Sequence, residues 1–267
     1  MAHPNPLSAP PEGPPEGRLV GSERVLAVLR ELARHPAGAE LEEIARSVRS
    51  PKPTVHRALA ALRRAGFAAR DGRGHYVLGD EFVRMAFAHH ENRPDHLRVT
   101  PILESLSRRF GETAHYAVLD GESVVYRAKV DPPTRAVRLT STVGGRNPAH
   151  CTAVGKVLLA CSLPDDAAVR RWAGDRILDR PTGRTVADPG SLCAELRTTR
   201  ERGYSLDDQE NELGIVCVAL PVFLTSPTVP SGAISVSALA YRTPLTALLD
   251  DLPAIRSIID PRPVSTV

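Results

Sequence analysis

Nucleophilic chemistry in this chain would have to come from His150, Cys151, Asp207 and Cys217, which supply a thiol, a base and an orienting acid. The sequence does not gather them. It also contains no G-x-S-x-G, H-E-x-x-H, P-loop or G-x-G-x-x-G word, so the reading is not an enzyme. The same histidine and cysteines lack the close paired spacing of a zinc site, and no metal or cofactor is expected. A different chemistry is concentrated between Arg49 and Tyr76. There Arg49, Lys52, Arg57, Arg63, Arg64, Arg70 and Arg73 face only Asp71, a local charge of +6 in a chain whose total is +3. Such a cluster suits a phosphate backbone.

Helices must position that charge. Val25, Val28, Leu29 and Leu32 predict an amphipathic helix over residues 22–35, stopped by Pro36. Leu41, Ile44, Ala45 and Val48 predict a second, and Val55, Ala58, Leu59 and Leu62 a third, each burying one stripe. In the third helix Ser50 is the expected cap, Pro51 the first residue and Gly66 the stop. Asp71-Gly72 between two β-prone runs over residues 67–78 predicts a hairpin. Three helices and a hairpin make a winged helix-turn-helix. Base reading then falls to side chains near the start of the third helix that point outward, Thr54, His56 and Arg57, with Arg57 suited to guanine O6 and N7. Ser50, Lys52, Arg63, Arg70 and Arg73 complete the expected DNA contacts. A solvated basic face is the bland alternative for Arg63 and Arg64, since cations at a helix C-terminus also favour its dipole.

The remainder predicts a second domain. Residues 80–92 read as a helix broken at Arg93-Pro94, and Thr100-Pro101 as the start of another. Strands are expected over 114–119, 123–130, 136–142, 215–224 and 232–239, and helices over 153–161, 164–172, 189–203 and 245–259. Runs of strands joined by hairpins and flanked by helices favour an α+β fold with a mainly antiparallel sheet. Ser235 and Ser237, two apart on one strand, share a face. The proline-rich residues 1–17 are expected to be a disordered tail. The longest apolar run, Ile215 to Leu224, is about half of the ~20 residues a spanning helix needs, and no signal peptide is expected. No membrane partner follows, and a reducing cytoplasm is the expected location.

The ordered words of the chain resemble the IclR family of bacterial transcription regulators from about Ser22 to Arg256. They are LEEIA at 41–45, PKPTVHRAL at 51–59, GF at 66–67, GHYVLG at 74–79, ETAHYAVLDGESVVY at 112–126, GRNPAHCTAVGKVLLA at 145–160, RGYSLDDQENELGIVCVALPV at 202–222 and GAISVSAL at 232–239. The resemblance implies a winged helix-turn-helix DNA-binding domain (18–79), a linker helix (80–98) and a GAF-like or profilin-like effector-binding and oligomerisation domain (99–267). It further implies that Ala153 and Val154 offer backbone amides to an effector, with Asp207, Cys217, Ser235 and Ser237 lining the cavity. Two words depart from the family. Pro53 stands where a serine is usual, and Val154 where an alanine is usual, which narrows the cavity.

The reading is therefore a ligand-responsive DNA-binding regulator, a repressor in preference to an activator, acting as a homodimer or homotetramer on a palindromic double-stranded operator. Its effector is expected to be a small carboxylate metabolite. An enzyme fused to a DNA-binding module and a purely architectural DNA binder are the alternatives.

Overall fold

A computed structural model describes residues 21–91, 94–132, 141–174 and 176–260. The chain divides into two compact units at the junction of residues 93 and 94. The proline-rich tail and residues 133–140, most of the strand expected over 136–142, lie outside the described residues.

The first unit holds α1 (Gly21–Leu32), α2 (Leu41–Ser47), α3 (Lys52–Arg64), the two-stranded antiparallel sheet of β1 (Ala68–Arg70) and β2 (Tyr76–Leu78), and α4 (Asp80–Glu91). Val28 and Leu32 of α1, Ile44 and Ala45 of α2, and Val55, Leu59 and Leu62 of α3 bury together, as the 3.6-residue spacing requires. Tyr76 closes this core. Its backbone exchanges hydrogen bonds with Ala39, at 2.9 and 2.8 Å, tying the hairpin to the entry of α2. One expectation needs correction. Ser50 does not cap α3, because Pro51 takes the non-helical cap position and its carbonyl receives the amides of Thr54 and Val55 at 2.9 and 3.1 Å. With Pro53 lacking an N–H, few amides are left to cap, and the Ser50 hydroxyl donates instead to Val48 O at 3.3 Å. The expected hairpin forms around Asp71-Gly72, with Gly74 in the left-handed region at φ 88°. Asp71 Oδ1 there accepts from the Arg73 and His75 amides, at 2.9 and 2.8 Å, shaping a longer loop than a two-residue turn.

The second unit begins with α5 (Pro94–Phe110) and continues through β3 (Thr113–Asp120), β4 (Ser123–Val130), β5 (Arg146–Pro148), a 3₁₀ turn (Ala149–Cys151), α6 (Ala153–Ser162), α7 (Asp166–Ala173), α8 (Pro189–Arg202), β6 (Ser205–Asp208), β7 (Ile215–Val222), β8 (Gly232–Leu239), α9 (Leu245–Asp250) and α10 (Leu252–Ile259). The strands form one six-stranded antiparallel sheet in the order β5-β4-β3-β8-β7-β6. Val99, Leu103 and Leu106 of α5, with residues of α9 and α10, cover one face through Tyr116, Val218 and Ile234. Helices α6, α7 and α8 cover the other through Ala117, Ala219 and Ala233. The domain is thus α+β with a helical layer on each side of the sheet.

Helix boundaries differ from expectation where packing outweighs local signals. Thr100 is not a cap: α5 starts at Pro94, and the Thr100 hydroxyl donates within the helix to His96 O at 2.8 Å. Pro101 sits inside α5, where it removes one backbone hydrogen bond. The buried stripe of Val99, Leu103 and Leu106 carries the helix through it. The single helix expected over 245–259 is two, divided at Asp251, because Pro253 tolerates only a first-turn position. Strands β5 and β6, three and four residues long, were not anticipated.

Candidate effector pocket and DNA-contacting helix

In the first unit, burial of Val55, Ala58, Leu59 and Leu62 turns the opposite face of α3 to solvent. His56, Arg57, Arg63 and Arg64 are exposed there and Thr54 is half-buried. Arg57 makes no ion pair among the described residues, so its fork of donors faces outward. Lys52 differs. Its ammonium lies 3.0 Å from Glu42, and that contact holds the Glu42 carboxyl below its usual range. At the wing, Arg70 folds back, its Nε donating to Gly74 O at 3.0 Å and its guanidinium standing 5.2 Å from the centre of the Tyr76 ring. Arg73 is exposed at the tip. Ser50 is half-buried with its hydroxyl turned to its own backbone. The eight candidates thus separate into outward groups (Thr54, His56, Arg57, Arg63, Arg73) and internally engaged ones (Ser50, Lys52, Arg70).

In the second unit a cavity of about 350 Å³ opens between the first turn of α6 and the sheet, and Ala153, Val154, Asp207, Cys217, Ser235 and Ser237 all line it. Strand register explains the gathering. Ser237, Cys217 and Asp207 are Cα partners across β8, β7 and β6, while His115, Ser235, Ala219 and Ser205 form the adjacent row. Alternation then places both rows on the α6 face. The helix is held against the sheet at two points. Ser205 donates to Ala153 O at 2.5 Å, and Gly155 packs so closely on Ala149 that a Cβ there would come within 2.2 Å of its carbonyl oxygen. Thr152 caps α6 by accepting the Gly155 amide at 3.1 Å, and its carbonyl takes the Lys156 amide at 2.9 Å. The amides of Ala153 and Val154 are the ones the helix cannot satisfy itself, and both residues border the cavity.

Several lining residues escaped the sequence reading. His115 is buried with its Nε2 2.7 Å from Ser141 Oγ and its Nδ1 3.3 Å from Ser237 Oγ. Burial, with Lys129 nearby, pushes its pKa down to about 3, so the ring is neutral. A polar residue inside the apolar run of β3 was the available signal. Tyr126 enters the pocket in the register that the Asp120–Ser123 turn sets, paired with Ala117 and on the same face as Val124, and a bulge at Arg127 beyond it pairs Ala128 with Tyr116. No sequence signal marks that bulge. Asn147 donates to the Tyr126 hydroxyl at 3.3 Å, and Asn211, Glu212, Thr142 and Arg146 complete the polar wall.

The electrostatics of the cavity oppose catalysis by the thiols. Burial raises the pKa of Asp207 to about 7, against the pull of the Glu210 amide and of Lys156. Burial, then Asp207, raises both Cys151 and Cys217 far above the range of a reactive thiolate. His150 points elsewhere, its Nε2 lying 2.8 Å from Asp179 O. The four residues that might have formed a thiol centre are therefore not assembled as one. Among the described residues no helix is long and apolar enough to cross a membrane.

Comparison with known proteins agrees with this architecture. Residues 22–72 match the model of the IclR helix-turn-helix domain, and residues 96–255 match that of the bacterial transcriptional regulator IclR C-terminal region. The chain is 31% identical to the transcriptional repressor IclR of Escherichia coli over 244 residues, covering 89% of this chain and 85% of that one. It is 32% identical to the Pca regulon regulatory protein of Pseudomonas putida over 200 residues, 75% of this chain and 68% of that one. The crystal structure of the Thermotoga maritima IclR protein superposes with a TM-score of 0.73 at 25% identity, covering 89% of this chain and 96% of that one. With a helix-turn-helix carrying an outward basic face, and a six-stranded effector domain matched over nearly its whole length, the chain belongs to the IclR family of bacterial transcriptional regulators.

Proposed function

We propose that this regulator is a cytoplasmic repressor that binds a palindromic operator as a homodimer or homotetramer and changes its affinity when a small carboxylate occupies the α6 cavity. The observation that carries the ligand reading is that Ala153 and Val154, whose amides have no partner within the helix, border the cavity at the N-terminus of α6. Two N–H groups and the positive end of the helix dipole favour an anion there. Thr54, His56 and Arg57 on α3 read base edges, while Arg63 and Arg73 hold phosphates and the internally engaged Ser50, Lys52 and Arg70 shape or join that contact on binding. Asp207, Cys217, Ser235 and Ser237 complete the effector site. Repression fits the relatives, of which the Escherichia coli IclR protein is named a transcriptional repressor. The effector works by binding two arrangements of the protein with different affinity.

Selection of duplexes from a random pool by the purified protein, followed by competition with carboxylic acids, tests the proposal. The expected result is an inverted-repeat consensus whose occupancy changes in the presence of one class of acid. A consensus without dyad symmetry would overturn the palindromic operator. Occupancy indifferent to every acid would overturn the ligand reading.

A further inference from the structure

Among the described residues two that are not glycine have positive φ, Arg49 at 48° and Gln209 at 63°. A Cβ makes that region costly, so each position needs a reason. For Gln209 the reason is internal, since its Oε1 accepts the Gly214 amide at 3.2 Å and its own amide donates to Ile215 O at 3.0 Å. For Arg49 only the backbone is explained. Helix α2 closes with the Ser50 amide donating to Ala45 O at 3.0 Å and the Arg49 amide to Arg46 O at 3.2 Å, the pair of bonds that places a left-handed residue, usually glycine, just past a helix. The side chain is exposed. Its neighbours Arg46 and Lys52 both stand beside Glu42, at 4.0 and 3.0 Å, whereas Arg49 forms no ion pair among the described residues.

The start of α3 is short of donors for an anion. Pro51 and Pro53 have no N–H, the amides of Thr54 and Val55 both donate to Pro51 O, and the Ser50 hydroxyl is turned to Val48 O. That leaves the Lys52 amide as the first-turn N–H the helix cannot satisfy itself, where helix N-termini ordinarily offer an anion several. Arg49 stands three residues before Lys52, so at most about 11 Å from it, and a major groove receiving the start of α3 is about 12 Å wide. An arginine side chain at that distance reaches the phosphates that border the groove. We infer that Arg49 is a DNA-phosphate contact, kept in a conformation that favours glycine because its guanidinium replaces the anion-binding amides that Pro51 and Pro53 remove. This rests on α3 as the helix that enters the groove.

Fluorescence anisotropy of the full chain on a labelled duplex of mixed sequence, at several salt concentrations, tests it with Arg49→Gly, Arg49→Gln and, as reference, Arg63→Ala. Each Arg49 variant is expected to bind about five- to tenfold more weakly at about 0.1 M salt for each winged-helix unit on the duplex, and to lower the log–log salt slope by about 0.9, the counterion release of one phosphate contact. Arg49→Gly is expected to melt above the wild type at the same time, because glycine relieves the strain, so its lost affinity cannot come from unfolding. Unchanged affinity and slope in both Arg49 variants, with Arg63→Ala weakened, overturns the assignment. So does a melting temperature lowered in both, which would give Arg49 to the C-terminal dipole of α2. Three variants that all bind like the wild type overturn the DNA-contacting face of α3 beneath it.

Discussion

The Lys156 ammonium lies 2.5 Å from Glu210 Oε1, and both side chains are shut off from solvent. The pair joins α6, whose first turn borders the cavity, to the loop after β6, whose Asn211 and Glu212 also border it. That loop is held from its other side as well. Thr182 and Thr185 donate to Glu210 O at 3.2 and 2.6 Å, and Asp207 Oδ1 accepts the Glu210 amide at 2.7 Å. The cavity wall is thus braced by a buried ion pair and a set of loop hydrogen bonds.

Removing one member of that pair leaves the other as an isolated buried charge. Lys156→Met is expected to cost about 3–5 kcal/mol in urea unfolding. Lys156→Met combined with Glu210→Gln is expected to recover much of the loss, since no unpaired charge remains. Equal loss in the single and double variants would show that the pair acts through packing.

The raised pKa of Asp207 makes stability depend on pH in a defined direction. The unfolded carboxyl ionises near its ordinary value of 3.8, the folded one near about 7. Between those values the folded state keeps a proton that the unfolded state has released, so stability falls as pH rises through the window and levels off above it. Asp207→Asn keeps the oxygen that accepts the Glu210 and Asn211 amides but never ionises. Its unfolding free energy relative to wild type is expected to improve from about pH 5 to about pH 8, by on the order of 1–3 kcal/mol. A difference that stays flat across that range would place the ionisation of Asp207 elsewhere.

Gly155→Ala probes the seat of α6. The added Cβ would meet Ala149 backbone atoms at 2.2 to 2.6 Å, which no side-chain rotation relieves. A loss of about 1–3 kcal/mol is expected from overpacking, with weakened binding of any acid at the α6 amides. Wild-type thermal stability in this variant would mean that the 3₁₀ turn shifts freely.

On the DNA side, Arg57 and Arg63 are expected to behave differently. Arg57→Ala should weaken operator binding by ~1–3 kcal/mol and relax the preference at one base position. Arg63→Ala should weaken all duplexes alike and lower the salt slope by about one. Anisotropy titrations at several salt concentrations distinguish them, and identical behaviour of the two variants would remove the base-reading role from Arg57.

Much of this molecule is legible in its residues, for reasons particular to each element. The stripe Val55, Ala58, Leu59 and Leu62 allows one buried face for α3 and hence one basic face outward. Ser235 and Ser237 can only share a side of β8. The start of α5 was less legible, because Thr100-Pro101 is a sound local start signal that burial of Val99 and Leu103 overrides. Likewise Ser50 is a good cap by type, but Pro51 occupies the position.

Local periodicity determined the helices of the first unit and the long strands of the second, and the ordered words of the chain determined its family, because both are properties of neighbours along the backbone. Three-dimensional packing decided the chemistry of the cavity. The β3–β4 pairing sets Tyr126 beside Ala117 on the cavity face, the β3–β8 register sets His115 opposite Ser235, and the loop after β6 brings Glu210 to Lys156. These contacts join residues far apart in sequence, and what fixes them is strand register and the requirement that buried polar groups find partners.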